Sequence, residues 1–360
     1  MAGTEDSPAR KHVAVLAFPF ATHAAPLLHL VRRIAAVSPA TMFSFFSSEK
    51  SNLACFPGGK RSGGDGSACP NLVAYDVWDG APDGYVPSGR NPVEPVEIFL
   101  RAAPDNIESV LHVAERERGC KATCLLTDAF YWFAADMARE RSVPWVPVWT
   151  AGPCALLTHM ETDAIRQMYA TSGETLDGIP GLSALRMVDL PKELLDAISP
   201  FPTLLYRMGQ VLPQATAVVC NSFEDADPIV QRELRSKLQM FLDVGPLVLS
   251  PPPALSDEHG CIPWLDEQET ASVVYVSFGS MLRPPPHEIT AIANALDKTA
   301  FPFLWSFRGD AEAELPLEFL DRATGTRGKV VPWAPQLHVL GHRAVGAFVT
   351  HAGGTRCWRA

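Results

Sequence analysis

The sequence predicts an α/β protein with two domains built around parallel sheets. Apolar runs of strand length alternate with segments of helical periodicity through most of the chain. At 360 residues the chain exceeds what one core usually supports, about 250 to 300 residues. The stretch "VGPLVLSPPPALSDEHG" carries three consecutive prolines, which favour an extended, stiff connector, and the strand–helix alternation restarts after it. The domains are therefore expected at 1–245 and 259–360, joined by a linker at 246–258.

Taken in order, "HVAVLAFPF" reads as the first strand, and from Ala24 the apolar positions Leu27, Leu28, Leu30, Val31 and Ile34 recur at helix spacing. Further strands are expected at "TMFSFFS", "LVAYDVW", "ATCLLTD", "WVPVWT" and "TAVVCNSF", with helices at "FAADMARER", "ALLTHMETDAIRQMY" and "PIVQRELRSKL". The Gly- and Ser-rich segment 56–69 is expected to be a mobile loop. Beyond the connector, "SVVYVSFGS", "PFLWSF", "KVVPWAP" and "VGAFVTH" read as strands, with helices at "HEITAIANALDK" and "QLHVLGH".

Composition narrows the function classes. Hydrophobic content of 47% and charged content of 19% describe a soluble globular chain. The net charge of -10 argues against nucleic acid or anionic membrane as a partner, so a phosphate ligand would have to be held by local dipoles. The N-terminal residues lack a secretory signal pattern, and no apolar stretch of about 18 residues suggests a membrane helix. The eight cysteines are scattered, and Cys120 with Cys124, the only close pair, lacks a second pair at metal-ligand spacing. Buried free thiols, no metal and a cytoplasmic location are expected.

In open α/β sheets ligands bind at the carboxyl ends of the strands. His23 follows the first strand, where an imidazole can act as general base on a bound hydroxyl; taken alone it is more often a helix-cap or packing residue. Asp128 ends "ATCLLTD" and could orient His23 and stabilise the imidazolium, or simply cap the next helix. No G-x-S-x-G elbow and no G-x-G-x-x-G after the first strand are present, which disfavours a serine hydrolase and a dinucleotide-dependent dehydrogenase. "SFGS" and "HAGG" follow strands of the second unit, and each could hold a phosphate on backbone N–H groups or merely reverse the chain. Trp333, between two prolines past a strand, could offer an indole face to a planar ring or belong to the core.

Together these pieces resemble the plant family-one UDP-glycosyltransferases. "WAPQLHVLGHRAVGAFVTHAGG" is similar to the opening of that family's C-terminal sugar-donor box, with tryptophan, glutamine, histidine and glycines in register. "PFATHA", "TDAF", "VPVWTAGPCALLTH", "NSFEDADP" and "YVSFGS" match in the same order, so the resemblance covers essentially the whole chain. "FPFATHAAPLL", "DAFYWFAADMA" and "WVPVWTAGPCALLTH" resemble most the flavonoid and anthocyanidin 3-O-glucosyltransferases.

The resemblance implies a GT-B architecture of two Rossmann-like domains facing each other across a cleft, the first for the acceptor and the second, incomplete here, for the UDP-sugar. It implies that His23 deprotonates the acceptor hydroxyl, that Asp128 holds its tautomer, and that attack inverts the anomeric carbon of UDP-glucose. Thr150 would face the sugar, while His159, with Phe20 and Thr22, would serve the phenolic acceptor. Trp333 would stack on uracil beside Ala334, Gln336 would bond the ribose, and Ser280, His351 and Gly353 would meet the diphosphate. UDP-glucose is then a co-substrate, no cofactor or metal is required, and a monomer is expected.

After Thr-His-Ala-Gly or Thr-His-Cys-Gly, members of the family continue Trp-Asn-Ser and Val-Leu-Glu, whereas this chain reads Gly354, Thr355, Arg356, Cys357, Trp358, Arg359, Ala360. Deleting one T from GGG TGG AAC TCG GTG CTG GAG GGC yields GGG GGA ACT CGG TGC TGG AGG GC, which encodes the observed residues. The expectation is a frameshift that truncates the donor box and impairs transfer. The rivals are an inactive acceptor-binding remnant and a nucleotide-sugar epimerase or phosphorylase, the last disfavoured by the plant-type donor box.

Overall fold

A computed structural model describes residues 10–20, 23–56, 69–86, 93–171, 173–195, 200–247, 257–279, 284–299, 301–323 and 327–351. The chain divides into two compact units, Met1–Leu247 and Val248–Ala360. Most of the glycine-rich segment and the three consecutive prolines of the connector lie outside the described residues.

The first unit runs β1 (His12–Leu16), α1 (Ala24–Val37), β2 (Met42–Ser48), α2 (Glu49–Cys55), β3 (Leu72–Val77), α3 (Glu94–Arg118), β4 (Cys124–Asp128), α4 (Ala134–Arg141) and β5 (Trp145–Trp149). It continues with α5 (Pro153–Met160), α6 (Thr162–Ala170), α7 (Lys192–Leu195), α8 (Pro200–Val211), β6 (Val218–Cys220), α9 (Pro228–Lys237) and β7 (Phe241–Asp243). The seven strands form one parallel sheet in the order β3-β2-β1-β4-β5-β6-β7.

Successive side chains of β1 point to opposite faces, and both faces are covered. Ala14 and Leu16 enter one apolar cluster with Phe99, Ile107 and Leu111 of α3, while Val15 enters the other with Leu27, Leu28 and Val31 of α1. That double coverage explains why the strands read as unbroken apolar runs. Each fully buried large side chain contributes about 1.5–3 kcal/mol relative to exposure.

Local chemistry sets several ends. Ser48 caps α2 by accepting from the Ser51 N–H, and Asp227 caps α9 by accepting from the Val230 N–H, with Pro228 at the first helical position. Gly119 closes α3 at φ 69°, the left-handed region that favours glycine.

Three expectations are corrected. β1 ends at Leu16 rather than Phe20, because after the Ala17 N–H bonds the Phe46 carbonyl the chain leaves the sheet toward Pro19, which has no N–H for the ladder. The helix expected over 155–169 is two helices separated at Glu161, whose φ of -95° and ψ of 13° break the helical path. Cys120 and Cys124 are free thiols as expected, but half-buried rather than buried.

The second unit comprises α10 (Cys261–Asp266), β8 (Val273–Ser277), α11 (Pro286–Thr299), β9 (Phe303–Ser306), α12 (Ala311–Glu314), α13 (Leu317–Ala323), β10 (Gly328–Val331), α14 (Gln336–Leu340) and β11 (Val345–Val349). Its parallel sheet has the order β10-β9-β8-β11. The central strands β8 and β9 are covered on both faces, Phe303 and Trp305 packing with Ile289, Ala293 and Phe319 and Leu304 with Tyr275 and Val339, whereas the residues of β11 are half-buried or exposed. Among the described residues, no helix is long and apolar enough to cross a membrane.

Candidate active site

The order of the first sheet puts the carboxyl ends of β1, β4 and β5 side by side. Leu16 of β1 pairs with Thr127 of β4, and Asp128, the next residue, pairs with Val148 of β5. Residues just past these ends therefore meet, although they are far apart in sequence.

His23 and Asp128 are brought together. The imidazole Nδ1 lies 2.8 Å from Asp128 Oδ2, with Asp128 1% exposed. The second carboxylate oxygen, Oδ1, accepts the Phe130 N–H at 2.9 Å. Neither side chain serves as the helix cap weighed from the sequence. His23 stands at the N-cap position of α1 but makes no side-chain cap bond there, and α4 is preceded by Phe133 rather than Asp128. A carboxylate can only accept, so Nδ1 donates its hydrogen to it, which leaves the lone pair on Nε2.

Thr150, buried past the end of β5, places Oγ1 3.5 Å from the same Nδ1. Its backbone is tied down by Asn221, which donates from Nδ2 to the Thr150 carbonyl and accepts the Leu247 N–H on Oδ1. Tyr131, wholly buried, donates from its hydroxyl to the Ala17 carbonyl at 3.1 Å, joining the exit of β1 to the turn after Asp128. Burial, and then the Asp128 carboxylate, push the Tyr131 phenol well above its usual range, so it stays a neutral donor.

Aromatic rings surround the imidazole. Phe130 lies 4.5 Å and Phe18 5.2 Å from the His23 ring centroid, and Phe20 is 5.3 Å from Phe18. Phe130 continues to Trp149 at 6.1 Å, and Trp149 meets His159 of α5 edge-on at 5.8 Å. Burial lowers the His159 pKa to about 4, so its ring is neutral near pH 7. Its Nδ1 is buried and has no hydrogen-bond partner among the described residues. Sequence reasoning missed Phe18, Phe130 and Trp149 as parts of this shell; their position beside strand ends is the signal that could have found them.

The remaining expected residues divide as follows. In the second unit Trp333 is 42% exposed, which excludes a core role, while Ala334 beside it is buried. Gln336 opens α14, and His351 is half-buried just past β11. Thr22, Ser280 and Gly353 lie outside the described residues, as do residues 354–360. No cluster of metal-ligating side chains occurs among the described residues.

Residues 256–360 match the model of the family described as UDP-glucoronosyl and UDP-glucosyl transferase. A flavonoid 3-O-glucosyltransferase of Medicago truncatula is 49% identical over 348 residues, covering 95% of this chain and 75% of that protein. The chain belongs to the UDP-glycosyltransferase family. Another member, the anthocyanidin 3-O-glucosyltransferase UFGT of Vitis vinifera, is 48% identical over 358 residues, which is 97% of this chain and 77% of that one. A crystal structure of UDP-glucose: anthocyanidin 3-O-glucosyltransferase in complex with UDP superposes with a TM-score of 0.88 at 39% identity, covering 98% of this chain and 79% of that one. This UDP-glycosyltransferase accordingly has the GT-B fold, with a parallel sheet in each of its two units.

Proposed function

We propose that this UDP-glycosyltransferase moves glucose from UDP-glucose to a hydroxyl of a flavonoid or anthocyanidin, foremost the 3-hydroxyl, with inversion. The observation that carries the reading is the 2.8 Å bond between His23 Nδ1 and Asp128, which leaves Nε2 as the base. In the proposed step, the acceptor hydroxyl gives its proton to Nε2 while its oxygen bonds to the anomeric carbon. The bond from that carbon to the UDP oxygen breaks, and the electron pair leaves with UDP. Attack from the opposite face turns the α-linked donor into a β-glucoside.

The rings of Phe18, Phe20 and Phe130 around the imidazole favour a planar aromatic acceptor. An acceptor hydroxyl would supply the partner that His159 Nδ1 lacks among the described residues. On the donor side, the exposed Trp333 indole would stack on uracil beside Ala334, Gln336 would bond the ribose, and His351 would serve the diphosphate with Ser280 and Gly353. Thr150 would face the sugar. The chemistry proposed needs no resident cofactor.

The test is incubation of the purified chain with UDP-glucose or UDP-galactose and a panel of quercetin, kaempferol and cyanidin. The expected product is a β-linked 3-O-glucoside, its linkage read from the anomeric proton coupling. Flavonol binding without product would replace transfer by sequestration, and absence of both would overturn the reading. The cytoplasmic location and monomeric state belong to the same proposal and are read by cell fractionation and sedimentation.

A further inference from the structure

Helix α5 is gripped from two sides by glycines. A Cβ on Gly209 of α8 would stand 2.3 Å from the His159 carbonyl oxygen, 2.8 Å from its carbonyl carbon and 3.2 Å from Met160 Cα. These are backbone atoms, so no side-chain rotation could relieve the overlap. Gly181, at φ +86°, closes the other side, where a Cβ would meet Val230 Cγ2 at 3.0 Å, Val230 Cα at 3.1 Å and Leu157 Cδ2 at 3.2 Å.

Leu157 and His159 are two residues apart, roughly 200° around a helix of 3.6 residues per turn, so the two grips fall on nearly opposite faces. The helix is also fixed at both ends. The Trp149 indole N–H donates to the Gly152 carbonyl at 2.9 Å before the first turn, and Lys237 of α9 pairs with Glu161 at 2.6 Å after the last.

We propose that Gly209 is a positioning residue for the acceptor: by letting α8 rest directly on the α5 backbone, it sets where the His159 imidazole stands beside Trp149. This rests on the acceptor reading of His159 proposed above. Any side chain at 209 pushes α5, and α9 behind Gly181 blocks its retreat, so the displacement passes to the ring. An acceptor hydrogen bond lost from a buried ring nitrogen costs about 5- to 150-fold in affinity.

The experiment measures quercetin dissociation constants by tryptophan quenching, and UDP constants by calorimetry, for Gly209→Ala, Val230→Ala and their combination, each also with His159→Ala. Thermal unfolding reports the folded fraction. Gly209→Ala should weaken quercetin binding about 10- to 100-fold and leave UDP binding unchanged. Adding Val230→Ala should restore part of the loss, because the fully buried Val230 then leaves room for α5 to yield. In the His159→Ala background the effect of Gly209→Ala should shrink below about twofold, the coupling expected of residues acting through one contact.

A purely structural role would instead lower the binding amplitude at constant affinity and persist without His159. An unchanged constant in folded Gly209→Ala, or an equal effect in the His159→Ala background, would overturn the proposal. Should Gly209→Ala not fold, Val230→Ala alone carries the test: its slack should weaken quercetin binding only while His159 is present, and the opposite result refutes the positioning role.

If the unaltered chain does not bind quercetin, the acceptor reading fails first. The grip on α5 is then read separately by NMR titration of His159, which should move from about 4 toward 6.5 in Gly209→Ala. An unmoved titration would overturn the grip itself.

Discussion

Asp128 divides its carboxylate between two jobs: Oδ2 lies 2.8 Å from His23 Nδ1, and Oδ1 accepts the Phe130 N–H at 2.9 Å. The backbone bond fixes the carboxylate and the carboxylate fixes the imidazole, so the free nitrogen of His23 has a defined direction before any substrate arrives. Asp128→Asn keeps the shape but can present an amide N–H to Nδ1, favouring the wrong tautomer. We expect kcat to fall by about 10²- to 10⁴-fold with the acceptor dissociation constant little changed, measured by steady-state kinetics and fluorescence titration.

Tyr131→Phe removes the hydroxyl that joins the Ala17 carbonyl to the turn after Asp128 while keeping the buried ring. The Ala17 carbonyl still accepts from the Ser47 hydroxyl at 3.1 Å, so the loss of one hydrogen bond predicts a stability loss of about 0.5–1.5 kcal/mol. Urea unfolding checks this, with a shifted midpoint at constant slope as the expected signature.

His159 gives a pH dependence whose sign follows from linkage. Its pKa is lowered to about 4 in the fold from an ordinary 6.5, so between these values the unfolded chain binds the extra proton and stability falls as pH falls. The full difference corresponds to about 3 kcal/mol. From pH 7 down to pH 4 the unfolding free energy of the native chain should fall relative to that of His159→Leu, by up to about 3 kcal/mol.

Trp333→Ala tests the donor side. The indole is 42% exposed, so its removal leaves no core cavity. If it stacks on uracil, UDP binding should weaken by about 1–3 kcal/mol, or about 5- to 150-fold, with flavonol binding unaffected. Calorimetry with UDP reads the first and fluorescence titration the second.

The sequence made the sheet and the dyad legible for one reason. Parallel strands buried on both faces leave unbroken apolar runs, and the residues following them, His23 after β1 and Asp128 at the end of β4, must lie on one edge of the sheet. Helix α3 was not legible. It contains Pro95 near its start and Pro104 inside it, a helix-breaking signal that the buried stripe of Val96, Phe99, Ala103, Ile107, Leu111 and Ala114 overrides. The closeness of Thr150 to His23 and of Gly209 to the α5 backbone depends on how β5 and α8 pack, which no local pattern encodes. The break between α5 and α6 hangs on the backbone of Glu161 alone, a boundary that apolar periodicity cannot place.

The most direct measurement is single-turnover glucoside formation from quercetin and UDP-glucose by the native chain and by His23→Ala, with both ligands' dissociation constants determined alongside. The account predicts that the native chain forms product and that His23→Ala slows it by about 10²-fold or more at nearly unchanged binding. Turnover by His23→Ala at the native rate would contradict the assignment of this imidazole as the base.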